Sequence, residues 1–347
     1  MATIYDVAAQ AGVSIKTVSR VMNAEPNVRA ETRERVHAAA ASLNYHPNLS
    51  ARSLAGSKSY LIAAFVDAKL TIEHWRNERG TDYLARIQLG ATMPCREAGY
   101  HFLVELVDHN TAPMRQEVSN LLAALKPDGV ILTPPITDND IVLELLRGAG
   151  TPYVRLGPEQ PDGGGLRLRM DDRAAARGMT DHLVALGHRR IGFIEGEQRY
   201  GSSHSRRDGF LESMAAHGLK SACMFVGDYT YQSGIEGGRE MLSGNARPTA
   251  IFASNDDMAL GCMAAAGELG LEIPRDVSIA GFDDSTGSRF SRPQLTTLRQ
   301  PIVEMAALAA CALIAGEVRP DCDEDAHFDF PSFTLVPRLS TARPGKV

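Results

Sequence analysis

Two groups of residues in this 347-residue chain have the types and spacing for specific chemistry. The first lies near the N-terminus: Ile15 and Lys16 follow Ser14, and Arg20 comes about one helical turn later. Arg and Lys can donate to guanine O6 and N7, and an apolar side chain such as Ile15 can meet a thymine methyl. The second group is spread over the body of the chain. Ala253-Ser254 is followed by Asn255-Asp256-Asp257, and Ala280-Gly281-Phe282 by Asp283-Asp284. Arg206 comes after the 196–203 stretch, and Tyr229 and Tyr231 follow Gly227-Asp228. Carboxylates, an amide, a guanidinium and aromatic faces around one cleft would suit a polyhydroxylated ligand. Each hydroxyl both donates and accepts, and rings cover the C–H side. The competing reading is that Asn255 and Asp256 only cap the helix that begins near Met258.

Other chemistries find no support. There is no GxSxG, HExxH or P-loop, and Gly163-Gly164-Gly165 precedes no phosphate-binding helix and reads as a surface loop. The histidines make no metal-ligand pattern. The pairs Asp171-Asp172, Asp256-Asp257 and Asp283-Asp284 are neighbours in sequence, so their side chains face different ways rather than pairing as acid and base. No catalytic residue, metal or cofactor is expected. Five scattered cysteines without a CxxC pair read as reduced thiols, which points to the cytoplasm. The chain opens Met-Ala-Thr-Ile-Tyr-Asp, without a leader pattern, and no apolar run is long enough to span a membrane.

The elements that must position these residues fall into two regions. Up to residue 60, three short helical patterns follow one another. Ile4, Val7, Ala8 and Ala11 stand at helical spacing behind a Thr3 cap, and Gly12 ends the run. Ser14 caps a second helix from Ile15 to Met22, with Val18 and Val21 inward. A turn at 23–27 leads to a third helix carrying Val36, Ala39, Ala40 and Leu43. Two short helices around a Gly-containing turn make a helix-turn-helix, whose second helix enters the major groove. A plain three-helix bundle with a basic face is the alternative. This segment carries seven basic side chains against four acidic ones, leaving 29 against 38 for the remainder. A basic module on an acidic body assigns any polyanion to the first sixty residues.

From residue 60 on, apolar runs at 61–66, 101–107, 129–132, 152–156, 190–194, 250–253 and 277–282 alternate with helical patterns at 114–125, 173–186, 205–217, 231–242 and 257–269. Gly187, Gly218 and Gly270 close three of these helices. The alternation predicts an α/β fold with a mostly parallel sheet covered by helices on both faces, and the length allows two such sheets. Ligands in such folds sit beyond the carboxyl ends of the strands.

Residues 3–8, 11–14, 17–23, 32–36, 43–48 and 51–56 closely resemble the headpiece of the lactose-repressor/galactose-repressor (LacI/GalR) family. Residues 182–191, 248–259, 281–284 and 295–301 are similar to that family's effector-binding core, which itself resembles type I periplasmic binding proteins. The resemblance implies an all-α helix-turn-helix headpiece at 1–47 and a hinge helix and linker at 48–58. A two-subdomain parallel-sheet core for effector binding and dimerisation would then occupy 59–341. The N-subdomain would take about 59–160 and 292–325, and the C-subdomain about 161–291 and 326–341. It implies DNA contacts at Tyr5, Ser14, Ile15, Lys16, Thr17, Ser19, Arg20, Asn23, Tyr45, Asn48, Ala51 and Leu54. Leu54 would be a minor-groove wedge that bends the duplex. It implies effector contacts at Thr133, Arg206, Tyr229, Asn255, Asp283 and Gln300. The implied partners are near-palindromic double-stranded operator DNA, a second copy of the chain, and a small effector. A sugar is the expected effector, with a purine-like or other metabolite as the alternative. No heptad run follows Leu339, so nothing argues for a tetramer. Residues 67–82, which hold the only Trp, depart from the family pattern. They read either as an exposed loop or as a lid over an unusual ligand. A periplasmic binding protein would explain residues 60–340 but not the headpiece.

Overall fold

The computed structural model describes residues 2–22, 27–45, 58–76, 82–109, 113–244, 246–321, 323–325 and 332–345. The chain forms two compact units, divided after Tyr60.

Among the described residues the first unit has three helices, α1 (Ile4–Ala11), α2 (Ile15–Met22) and α3 (Ala30–Ser42). The Thr3 backbone N–H and hydroxyl both donate to the Asp6 carboxylate at 2.8 Å. These bonds hold Asp6 below the usual carboxylate range. Gly12 ends α1 at φ 63°, a left-handed conformation that glycine adopts without a Cβ clash. Ser14 Oγ then accepts the Thr17 N–H at 3.1 Å and caps α2, as the sequence predicts. Val7, Val18, Val21 and Val36 close a small core against the alanines of α1 and α3. Residues 48–57 of the expected hinge, and Asn23, lie outside the described residues.

The second unit opens with β1 (Leu61–Asp67), α4 (Ala68–Arg76), α5 (Asp82–Glu97), β2 (His101–Val107), α6 (Met114–Leu125), β3 (Gly129–Leu132), α7 (Asp140–Ala149), β4 (Tyr153–Leu156) and β5 (Gly165–Leu168). It continues with α8 (Asp172–Ala185), β6 (Ile191–Glu195), α9 (Gly201–Ala216), β7 (Cys223–Val226), α10 (Tyr231–Leu242), β8 (Ala250–Ala253), α11 (Asp256–Glu268) and β9 (Ser278–Ala280). The chain closes with α12 (Thr286–Phe290), β10 (Thr297–Arg299), α13 (Ile302–Ala315), β11 (Asp323–Asp325) and β12 (Thr334–Val336). Two parallel sheets result, of order β11-β5-β4-β3-β1-β2 and β7-β6-β8-β9, and β10 pairs antiparallel with β12. Strands β3, β4, β6 and β8 are buried throughout, which is why they read as unbroken apolar runs. Helices α5 and α13 pack so closely that a Cβ at Gly90 would stand 2.2 Å from the Val303 carbonyl oxygen. Among the described residues no helix is long and apolar enough to cross a membrane.

Four expectations are corrected. Residues 68–76 are not a loop but α4, started by Asp67, whose Oδ1 accepts the Leu70 N–H at 2.6 Å. An Asp cap outweighs the polar composition that makes this stretch look irregular. The 163–165 glycines are not only a loop: Gly165 begins β5, and all three glycines have positive φ. A side chain at Gly165 would strike the Tyr153 ring, because β5 runs against β4 there. Finally, β5 pairs in the first sheet, so the first crossing between the halves falls after Leu168 rather than near residue 160. Strand β10, counted by the sequence with the first half, instead follows the second: Ala280 bridges Thr296 and Asp283 bridges Arg299.

Candidate functional site

The carboxyl ends of the two sheets face one another across a cavity of about 500 Å³. Val66 and Asp67 end β1, Thr133 follows β3, Gly157 follows β4, Asn255 follows β8 and Asp283 follows β9, and all line it. All six expected effector residues, Thr133, Arg206, Tyr229, Asn255, Asp283 and Gln300, are brought to this one cavity.

Their neighbours decide what each can do. Arg206 is almost fully buried, with Nε donating to Asp172 Oδ1 at 2.7 Å and Nη1 to the Ser254 carbonyl at 2.6 Å. Its guanidinium lies 3.7 Å from the Phe282 ring centroid, a stacked position that fixes its plane. Burial pushes Asp172 up, against the pull of Arg206. Asp283 and Asp284 take up φ 121° and φ 56°, positions that non-glycine residues rarely adopt, at about 1–3 kcal/mol each. The strain turns the two carboxylates apart. Asp283 accepts from Gln300 Nε2 at the cavity wall, whereas Asp284 is fully buried among Arg289, Arg299 and Arg338. Burial pushes the Asp283 carboxyl up to about 7, although Arg206 and Gln300 act the other way. Burial also pushes Asp284 up, but the three guanidinium groups outweigh it and hold that carboxylate low.

Asn255 does what the capping reading expects. Its Oδ1 accepts the Met258 N–H at 2.9 Å and its Nδ2 donates to the Tyr229 carbonyl at 2.9 Å. Asp256 is not the cap. It is fully buried and accepts from Thr297 Oγ1 at 2.6 Å and the Ser285 N–H at 2.7 Å. Burial first, and then the charge of Asp283, pushes its carboxyl well up. Thr133 lines the cavity and donates its hydroxyl to the Phe65 carbonyl at 3.0 Å. Tyr229, at φ 69°, shares a hydrogen bond of 3.2 Å with Ser202, and Gly196 makes room for its ring.

Sequence reasoning missed other walls. Leu70, Thr71 and Trp75 of α4, Asp82 and Tyr83 of α5, Asp172, and Tyr200 all line the cavity. The signal for Asp172 and Tyr200 was their place just past a strand end. For Trp75 it was the stretch that departs from the family pattern.

In the first unit, Tyr5, Ser14, Ile15, Lys16 and Arg20 are exposed, and Thr17 and Ser19 half-buried. Thr17 and Ser14 share a hydroxyl hydrogen bond of 2.9 Å, which fixes both at the start of α2. Tyr45, expected at the DNA, is half-buried with its ring packed on the three-helix core, and burial pushes its phenol up. Asn23, Asn48, Ala51 and Leu54 lie outside the described residues.

Known proteins resemble the chain over its length. Residues 3–48 match the family model described as bacterial regulatory proteins, lacI family, and residues 180–341 match the periplasmic binding protein-like domain. The chain is 32% identical to the HTH-type transcriptional regulator GalR of Escherichia coli strain K12, over 99% of this chain and 97% of the relative. It is 32% identical to catabolite control protein A of Priestia megaterium, over 88% of this chain and 90% of the relative. Among solved structures, a lac repressor dimer bound to operator and the anti-inducer ONPF is 30% identical. It covers 98% of this chain and 99% of its own, with a TM-score of 0.77. A complex of the transcriptional regulator CelR with cellobiose is 29% identical, covering 98% and 100%, with a TM-score of 0.70.

Proposed function

The chain belongs to the lacI family of bacterial transcriptional regulators, and on that premise we propose that it is a sugar-responsive repressor. As a homodimer it presents two helix-turn-helix units to a near-palindromic operator. Ile15, Lys16 and Arg20 read base edges from the N-terminal half of α2. Tyr5, Ser14, Thr17, Ser19 and Asn23 complete the major-groove side, and Asn48, Ala51 and Leu54 reach the minor groove. Bound to the operator, the dimer obstructs polymerase.

The single observation that carries the effector half of this reading is the cavity itself. Asp67, Asp82, Asp172, Asp256, Asp257 and Asp283 meet Arg206 and a set of aromatic rings in one cleft between the sheets. Such a lining supplies many acceptors for ligand hydroxyls and rings for the C–H faces, as a neutral sugar needs. Arg206, Asp283 and Gln300 hydrogen-bond the ligand. Tyr229 and Thr133 wall it, and Asn255 acts through the Tyr229 carbonyl that it holds. A ligand moves operator affinity only as far as it prefers one arrangement of the two halves over the other.

A thermal-shift screen of the full chain against sugars and nucleobases tests this reading. A binder at one hundred times its dissociation constant adds about 2.7 kcal/mol of stability. The same compound should then change operator binding in a mobility-shift assay. Stabilisation by nucleobases alone would replace the sugar reading with the purine one.

A further inference from the structure

Trp75 and Tyr200 stand on different elements of the same cavity, one on α4 after the first strand and one in the segment after β6. Helix α4 turns Thr71 and Trp75, four residues apart, to the same face, and both line the cavity with Leu70. The indole is nonetheless 49% exposed, a large apolar ring left half in water at the wall of a binding site. Tyr200 is the reverse case. It is 7% exposed and lines the cavity, yet among the described residues its hydroxyl has no hydrogen-bond partner. A buried phenol without a partner is an unmet polar demand. The Tyr200 ring meets Tyr229 edge-on at 5.5 Å, so this region continues from the Arg206–Asp283 end of the cleft.

We propose that Trp75 and Tyr200 form an outer glycosyl subsite, and that the effector is a neutral disaccharide rather than a monosaccharide. This rests on the sugar reading above. The inner ring is held by Arg206, Asp283 and Gln300. The outer ring lays its C–H face on the indole, and one of its hydroxyls pairs with Tyr200 Oη. An aromatic face left uncovered and a buried hydroxyl left unpaired are both satisfied by that one ligand unit. The charge on the ligand follows from the lining. Arg206 is already matched by Asp172, so its charge is spent within the protein rather than on an acidic or phosphorylated sugar.

Trp75 is the only tryptophan of the chain, so its emission reports on this subsite alone. The full chain is titrated with glucose, galactose, cellobiose, lactose and maltose, following emission and melting temperature. At least one disaccharide should shift the emission and bind about tenfold more tightly than its constituent monosaccharides. By calorimetry, Trp75→Ala should weaken that disaccharide about tenfold and a monosaccharide less than about twofold, whereas Trp75→Phe restores most of the affinity. Tyr200→Phe should weaken the disaccharide several-fold. The half-exposed Trp75 makes its variants safe for folding, and the ligand-free melting temperature checks this. Binding of monosaccharides only, a silent emission, or an unaffected Trp75→Ala variant each overturns the outer subsite while leaving the sugar reading intact. A panel in which no sugar of either size binds overturns both.

Discussion

Arg86 of α5 donates through Nη1 to the backbone carbonyl of Asp283 at 3.0 Å, tying a helix of the first sheet to the strained turn of the second. Its Nη2 donates to the next carbonyl, that of Asp284, and lies 3.3 Å from Asp82 Oδ2. Asp82 in turn accepts the Thr286 N–H at 2.8 Å. Two side chains one helical turn apart thus latch the two halves together beside the cavity that Asp283 and Asp82 both line.

Removing that latch should favour the open cleft. Hydrogen bonds to a charged group contribute about 1.5–3 kcal/mol, so Arg86→Ala is expected to lower effector affinity by about tenfold or more. Calorimetric titration with the compound returned by the thermal screen measures it. Unchanged affinity would mean that the latch does not hold the ligand-bound form.

The two neighbouring carboxylates should separate by phenotype. Asp284→Ala strands three arginines, one of them largely buried, and should cost about 3 kcal/mol, in the range for breaking a buried pair. Asp283→Ala removes a ligand group whose side chain, among the described residues, hydrogen-bonds Gln300, so melting should barely change while the effector response is lost. Thermal denaturation and a mobility-shift assay of both variants give the comparison. An Asp283→Ala protein that melts early would assign that residue to the fold instead.

The pH dependence follows from Asp283. Its carboxyl is pushed up to about 7 by burial, whereas an unfolded aspartate titrates near about 4. Between those values the folded chain holds a proton that the unfolded chain has lost. This contribution to stability is therefore complete below about pH 4 and disappears as pH rises through about 7. A ligand hydroxyl that donates to Asp283 favours the ionised form, so effector affinity should rise through the same upper range. Asp283→Asn should flatten both trends, which melting curves and titrations from pH 5 to 8 would reveal.

On the DNA side, Arg20→Ala should relax base preference at about 1–3 kcal/mol per lost contact. Wild-type affinity should fall steeply with salt, as phosphate-bound counterions are released. Leu54→Ala should weaken specific binding and spare non-specific binding, since only a wedge is lost. Fluorescence anisotropy on operator and scrambled duplexes across salt concentrations separates these effects. Salt-independent binding would contradict the role given to α2.

The local elements were legible because their signals are local. A serine before Ile15, a glycine at position 12 and unbroken apolar runs decide caps, helix ends and buried strands within a few residues. The strand-end rule likewise brought Arg206, Tyr229, Asn255 and Asp283 to one cleft, because parallel sheets gather their carboxyl ends on one side. What the tertiary structure decided was the partner of each polar group. Nothing at positions 283 and 284 distinguishes a cavity carboxylate from a structural one. The difference comes from Arg289, Arg299 and Arg338, two of which arrive from later strands and segments. Asn255 caps α11 and Asp256 does not for the same reason, since Thr297 and Ser285 meet Asp256 only after the chain has folded. The α4 wall was hidden because an aspartate cap and one tryptophan carry too little periodicity to mark a helix until β1 supplies a surface beside it. Burial and pairing over hundreds of residues fix such roles, and a side chain's type alone does not contain them.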